Sequence, residues 1–251
     1  MKEGPLVQTK IIAHRGSKGT APENTLESFR AALKSNCDGI ELDVHLSQDL
    51  VPVVIHDETV NRTSNGEGYV YQKTYQELQQ LDAGSWFNKR FTGARIPSLE
   101  EVLQLLKVSS FKGMLNIELK TDKIAYPLLE ETVVDLVERY QPDYQVVYSS
   151  FNVQSLQKVI GLVPNAEIAI LFKKRGAQKA FLPNGHPIQA WHGSHRLVND
   201  MIKNNKRKIP IRLWTVNRLF DLGYCLNKNV DAIITDYPNR ALRVRDRVQG
   251  E

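Results

Sequence analysis

The alternation of short β-branched runs with helical stretches constrains the fold more than any other feature. Nine apolar runs of strand length recur along the 251 residues, at 10–14, 39–45, 52–56, 114–120, 145–150, 167–172, 188–192, 211–216 and 231–235. Strands that alternate with helices predict βα units and a mostly parallel sheet. A chain near 250 residues is typical of one barrel of this kind. We therefore predict an α/β fold, a single (β/α)8 TIM-barrel domain over 1–251.

Nine candidates exceed the eight strands of such a barrel, and the excess lies within 39–56. Only about six residues separate the second and third candidates, whereas a parallel crossover needs a dozen or more. These two runs therefore predict an antiparallel hairpin. A turn centred between Gln48 and Asp49 would place Glu41 opposite His56.

The segment 58–97 loses the strand–helix rhythm and contains Asn65-Gly66, Gly84 and Gly93. It is too long for a plain loop in a compact domain. We predict an inserted region over the barrel mouth, either with short elements of its own or acting as a lid. Two helices carry start signals, with Asn24 or Thr25 as one N-cap and Ser98 as the other.

Acidic side chains stand on two predicted strands where a buried strand is normally apolar. Glu41 and Asp43 share one face because side chains alternate along a strand, and Glu118 lies on another strand. A barrel gathers its C-terminal strand ends at one mouth, where barrel enzymes keep their sites. Carboxylates brought together raise one another's pKa, and a divalent cation relieves that conflict. Oxygen ligands favour Mg²⁺ or Ca²⁺ over zinc.

Composition limits the possible partners. The net charge of +5 would attract anionic substrates, although solubility alone also explains it. The sequence has no Lys/Arg run with interleaved aromatics, which is the pattern that would predict nucleic-acid binding. Cys37 and Cys225 lie far apart without metal-finger spacing, which fits a reduced, cytoplasmic setting. The N-terminus lacks a signal-peptide h-region and no apolar run reaches membrane length, so we expect no stable membrane association. The oligomeric state stays open.

Eight short motifs in chain order resemble the glycerophosphodiester phosphodiesterase family, from about residue 10 to 238. They are His14-Arg15-Gly16, Pro22-Glu23-Asn24-Thr25, Glu41-Leu42-Asp43-Val44, His56-Asp57, Asn116-Ile117-Glu118-Leu119-Lys120, Ser149-Ser150-Phe151, Trp214-Thr215-Val216-Asn217 and Thr235-Asp236-Tyr237-Pro238. Each motif is weak alone, but their shared order is specific.

The resemblance implies a barrel related to that of the phosphatidylinositol-specific phospholipases C. It also implies metal-dependent hydrolysis of a small glycerophosphodiester to glycerol 3-phosphate and an alcohol such as choline, ethanolamine or glycerol. Its catalytic positions fall on His14 and His56, its metal positions on Glu41, Asp43 and Glu118, and its phosphate-contacting positions on Arg15 and Lys120. Trp214 ends a predicted strand, where it can contact the glycerol or headgroup or belong to the core.

Two histidines suit a base and an acid because each titrates near neutral pH. We favour attack by the glycerol 2-hydroxyl, which gives a cyclic phosphate that water then opens. The sequence leaves open which histidine is the base. Two alternatives remain: a lysophospholipase D acting on single-chain lipids, and a non-catalytic phosphodiester-binding barrel. The polar character of the inserted region favours a soluble substrate over the first.

Overall fold

The computed structural model describes residues 8–176 and 187–250, and its centre is a closed parallel barrel. Eight parallel strands form it in chain order, and the barrel closes because β1 pairs with both β2 and β9. A further strand, β3, is antiparallel to β2. The predicted barrel is confirmed. The strands are β1 Lys10–His14, β2 Gly39–Leu46, β3 Pro52–Val54, β4 Met114–Leu119, β5 Gln145–Ser150, β6 Glu167–Phe172, β7 Ala190–Ser194, β8 Ile211–Trp214 and β9 Ala232–Thr235.

Helices follow the barrel strands and surround them. Thr25 and Ser98 cap the first and third helices, each in a reciprocal capping box, so Thr25 rather than Asn24 is the first N-cap. In the part of the chain that the structure describes, no helix is long and apolar enough to cross a membrane. The helices are α1 Leu26–Lys34, α2 Tyr75–Gln79, α3 Leu99–Val108, α4 Leu129–Tyr140, α5 Val153–Leu162, α6 Val198–Asn204, α7 Leu219–Leu226 and α8 Pro238–Gln249.

The apolar core has two layers, separated by the barrel wall. The larger layer joins outward strand residues such as Ile40 and Leu42 to the buried faces of the helices. The smaller layer fills the barrel and includes Ile12, Met114 and Ile234. Because side chains alternate along a strand, a strand residue that does not belong to the outer layer faces the barrel interior or the barrel mouth.

The hairpin of β2 and β3 exists, but its predicted register is wrong by one residue. Val44 pairs with Val54, and the backbone N–H of Ser47 donates to the carbonyl of Val51 (3.0 Å). The turn has three residues, 48–50, because Leu50 takes the left-handed conformation (φ +62°). The turn is therefore centred on Asp49 and Glu41 does not face His56. His56 follows the end of β3 and lies outside the β2–β3 ladder.

The segment 58–97 has short elements and a small core of its own. It contains α2 and two 3-10 turns, Val70–Gln72 and Lys89–Phe91. Its apolar side chains join those of β3 in a separate cluster. Gly84 is required there because an added Cβ would lie 1.9 Å from the carbonyl oxygen of Phe91.

The cap of α3 can be tested by Ser98→Ala. The Ser98 hydroxyl accepts the Glu101 backbone N–H (3.2 Å), and its loss leaves that donor unsatisfied. We expect the free energy of unfolding to fall by about 1 kcal/mol in urea titrations. The control is Ser109→Ala at the exposed end of the same helix. Equal unfolding midpoints for the two variants would contradict the prediction.

Candidate active site

A cavity of about 200 Å³ opens at the C-terminal ends of the barrel strands and gathers most of the predicted site residues. Asp43 does not line it and is fully buried. The predicted residues that line the cavity are His14, Arg15, Glu41, His56, Glu118, Lys120 and Trp214. Other lining residues are Asn116, Asp122, Lys123, Phe151, Leu171, Lys173, Thr215 and Ile234.

The three predicted carboxylates meet as a compact acidic triad. Glu41 and Asp43 point to one side of β2, and the register between β2 and β4 sets Asp43 beside Glu118. One oxygen of each carboxylate lies within 4.8 Å of the others, and all three residues are buried. This triad can hold a metal ion.

The electrostatics of the triad fit a cation. Burial and the two neighbouring carboxylates raise the pKa of Glu41, and burial and Asp43 raise that of Glu118. Burial opposes ionisation of Asp43, but Arg15 and Lys120 hold its pKa below the usual range. Asp43 Oδ1 is buried without a hydrogen-bond partner. A buried, charged oxygen without a hydrogen-bond partner, beside two carboxyls whose ionisation is opposed, suits a divalent ion.

The loop between β1 and α1 holds Arg15 against the triad. The backbone N–H of Arg15 donates to Glu41 (2.9 Å), and the guanidinium Nε of Arg15 lies 3.2 Å from Asp43 Oδ2. Glu23 accepts a further bond from Arg15 Nη1 (2.7 Å), while Asn24 donates to Asp43 (2.8 Å). Gly16 makes the turn possible, because its φ is +76° and an added Cβ would meet Ser28 at 2.4 Å.

Both predicted histidines are held by an aspartate at Nδ1. His14 donates to Asp236 (2.6 Å), whose other oxygen accepts from Asn217 (2.8 Å). His56 donates to the adjacent Asp57 (2.5 Å). A carboxylate on Nδ1 fixes the tautomer and leaves Nε2 for exchange with a substrate. His14 is the more enclosed, with 13% of its side chain exposed against 32% for His56.

Burial lowers the pKa of His14, and the charge of Arg15 lowers it further. The hydrogen bond to Asp236 raises this pKa but does not offset the lowering. The imidazole is therefore neutral near pH 7, with its proton on Nδ1. In that form it can accept a proton at Nε2.

His45 supports the backbone of His56. It is fully buried, and its Nε2–H donates to the carbonyl of His56 (3.0 Å). The Tyr126 hydroxyl therefore donates to Nδ1 (2.8 Å). Burial lowers the pKa of His45 to about 4, so the ring is neutral.

Two aromatic residues form part of the cavity wall. Trp214 packs edge-on against Phe151 with ring centroids 5.9 Å apart, and its indole N–H donates to the carbonyl of His192 (2.9 Å). The ammonium of Lys173 lies 4.6 Å from the Phe151 ring centroid. The wall combines apolar surface with one cation.

Several residues of the site lie in the sequence motifs, but no role in the site was predicted for them. They are Glu23, Asn24, Asp57, Phe151, Asn217 and Asp236. Except for Phe151, each is a polar residue inside a short motif, and that was the available signal. Nothing local could identify their partners, because the bond from His14 to Asp236 spans 222 residues.

Comparison with known proteins places the sequence among phosphodiesterases. Residues 14–240 match the model of the glycerophosphoryl diester phosphodiesterase family. A glycerophosphodiester phosphodiesterase of Caldanaerobacter subterraneus subsp. tengcongensis is 37% identical over 95% of this chain and 98% of its own length. One from Bacillus altitudinis is 40% identical over 96% of this chain and 100% of its own.

Solved structures include a similar barrel. A phosphodiesterase of Oleispira antarctica, in complex with the product sn-glycerol-3-phosphate, superposes with a TM-score of 0.86 and 30% identity. The match covers 95% of this chain and 97% of that one.

The buried neutral His45 makes stability depend on pH. Between its ordinary pKa of 6.5 and the folded value of about 4, the unfolded chain binds a proton that the folded chain does not. The free energy of unfolding therefore falls as pH falls through this window, by about 3 kcal/mol from this residue. His45→Gln should lose less stability than wild type between about pH 7 and pH 4 in urea titrations. Parallel losses in the two proteins would rule out this contribution.

Proposed function

Since this chain belongs to the glycerophosphoryl diester phosphodiesterase family, we propose that it hydrolyses soluble glycerophosphodiesters to glycerol 3-phosphate and an alcohol. One observation supports this most: two histidines, each held by an aspartate, border a cavity that two of the three residues of the buried acidic triad also line. That set supplies a base, an acid and a cation site around one reacting group.

We propose that Glu41, Asp43 and Glu118 hold one divalent cation, Mg²⁺ or Ca²⁺. Their donors are all carboxylate oxygens, and the lack of a hydrogen-bond partner at Asp43 Oδ1 supports this assignment. When bound, the ion polarises a phosphoryl oxygen and offsets charge that develops there.

The histidines divide the proton transfers in this proposal. One imidazole takes a proton from the nucleophile at Nε2, and the other gives a proton to the leaving alcohol. His14 as base and His56 as acid fits the neutral state of His14. Each transfer typically contributes about 10²–10⁴-fold, so the pair would lower the barrier by roughly 5–11 kcal/mol if independent.

Arg15 and Lys120 would bind the phosphate. Both line the cavity and are largely buried, where a cation interacts more strongly with an anion than in water. Glu118 and Asp43 raise the pKa of Lys120 against the opposing effect of burial, so its charge is retained. Trp214 and Phe151 would contact the apolar edges of the glycerol or the alcohol.

The inserted region, 58–97, is proposed to border the mouth within a single barrel domain. It reaches the β1–α1 loop through Arg62, which bonds Glu23, and through Arg90, which donates to the carbonyl of Thr20 (3.0 Å). The polar run Arg62-Thr63-Ser64-Asn65 in this region supports a soluble substrate over a single-chain lipid.

The reaction and the site can be tested together with glycerophosphocholine. We expect glycerol 3-phosphate release that needs Mg²⁺ or Ca²⁺ and stops in EDTA. His14→Ala should lose at least about 10²-fold in kcat, and Glu41→Gln should lose cation dependence together with activity. The control is His195→Ala, a histidine that does not line the cavity.

Wild-type turnover in folded His14→Ala would contradict the acid–base assignment, and turnover in EDTA would contradict the requirement for a divalent cation. Inactivity of folded, metal-supplied protein on all soluble glycerophosphodiesters would favour lysophospholipids. A lack of activity on both would favour the non-catalytic barrel.

A 2-deoxy glycerophosphodiester tests the nucleophile. If the glycerol 2-hydroxyl attacks the phosphorus, its removal leaves no hydroxyl that can close the five-membered cyclic phosphate, and we expect no turnover. Competition against the parent substrate should show that the analogue still binds. Normal turnover of the analogue would indicate direct attack by water.

A further inference from the structure

Arg62 of the inserted region bonds two carboxylates at once. Its Nε donates to Asp57 Oδ2 (2.6 Å) and its Nη1 to Glu23 Oε2 (3.0 Å). Its Nη2 donates to both residues, at 2.8 Å to Glu23 and 3.1 Å to Asp57. All three guanidinium nitrogens therefore have partners.

Each of these carboxylates also holds one side chain that borders the cavity. Glu23 accepts from Arg15 Nη1 (2.7 Å), and Asp57 accepts from His56 Nδ1 (2.5 Å). A continuous series of hydrogen bonds thus joins the arginine that faces the triad to one of the two histidines. Arg62 is its central member and itself does not line the cavity.

We propose that Arg62 is a positioning residue, which sets the relative placement of Arg15 and His56 through the two carboxylates they share with it. The inference rests on the proposed function, because it assigns Arg62 to the geometry of that same site. It also gives the inserted region a specific part in catalysis.

Burial and charge support the assignment. Glu23 is buried, and burial opposes its ionisation, yet Arg62 and Arg15 lower its pKa to about 2. The hydrogen bond from His56, and then Arg62, lower the pKa of Asp57 below the usual range. Both carboxylates therefore stay charged and keep their bonds across the neutral pH range.

A guanidinium suits this place because its donors form a rigid planar fork. Bidentate pairs between a guanidinium and carboxylates add geometric specificity as well as energy. An ammonium at the same position is a point charge and cannot keep four donor bonds to two carboxylates. Charge alone is therefore insufficient for the proposed effect.

The inserted region holds the backbone of Arg62 from both sides. Val60 is buried in the small core, and its N–H donates to the carbonyl of Gly68 (3.0 Å). The Ser64 hydroxyl donates to the carbonyl of Val60 (2.8 Å). The position of the guanidinium is thereby coupled to the folding of this region.

The test compares steady-state kinetics of wild type, Arg62→Ala and Arg62→Lys on glycerophosphocholine with Mg²⁺. We expect Arg62→Ala to lose about 10²-fold in kcat, the order expected for a misplacement near 1 Å, with a smaller change in KM. Arg62→Lys should recover only part of this loss. Guanidinium ion, added below denaturing concentrations, should restore activity to Arg62→Ala.

Arg90→Gln is the matched control, because Arg90 joins the same inserted region to the same loop without contacting either carboxylate. It should keep wild-type kcat and show no response to guanidinium. The losses in Arg62→Ala and Asp57→Asn should combine less than multiplicatively, because both changes break one series of bonds.

An inactive wild type would overturn the proposed function itself. With an active wild type, unchanged kcat in Arg62→Ala would overturn only the positioning part of Arg62. A loss without guanidinium rescue and with full multiplicativity toward Asp57→Asn would also overturn it. If Arg62→Ala does not fold, full activity in Arg62→Lys would contradict the need for the fork.

Discussion

Carboxylates that are buried side by side repel one another, and in this protein three have ligand atoms within 4.8 Å. Neighbouring cationic side chains partly offset that repulsion. Arg15 and Lys120 lie beside Asp43, at 3.2 and 3.8 Å, and both are themselves largely buried. One carboxylate oxygen, Asp43 Oδ1, still has no hydrogen-bond partner. The same arrangement therefore stabilises the fold and leaves a place for a cation.

The two histidines depend on different parts of the fold. His14 reaches Asp236 only because β1 and β9 are neighbours, so its orientation follows from closure of the barrel. His56 is held locally by Asp57, by His45 at its backbone and by the inserted region through Arg62. The proposed acid–base pair thus combines one member set by the barrel with one set largely by the insertion.

Much of this protein could be predicted from local sequence. The alternation of strands and helices is a periodic property, and the caps at Thr25 and Ser98 act over three residues. Side-chain alternation within one strand placed Glu41 and Asp43 on a common face. The barrel then brought Glu118 to them, because the C-terminal ends of parallel strands meet at one mouth. The family-like motifs identified the same residues independently.

Only the tertiary structure decided the register of the hairpin and the partners of the charged side chains. The register differs from the predicted one because Leu50 adopts a left-handed backbone that a leucine rarely takes, which gives a three-residue turn and shifts the pairing by one residue. The bonds from Arg62 to Glu23 and from His14 to Asp236 join residues 39 and 222 positions apart. No periodicity or local preference encodes such pairs, since they form only when separate loops meet at the mouth.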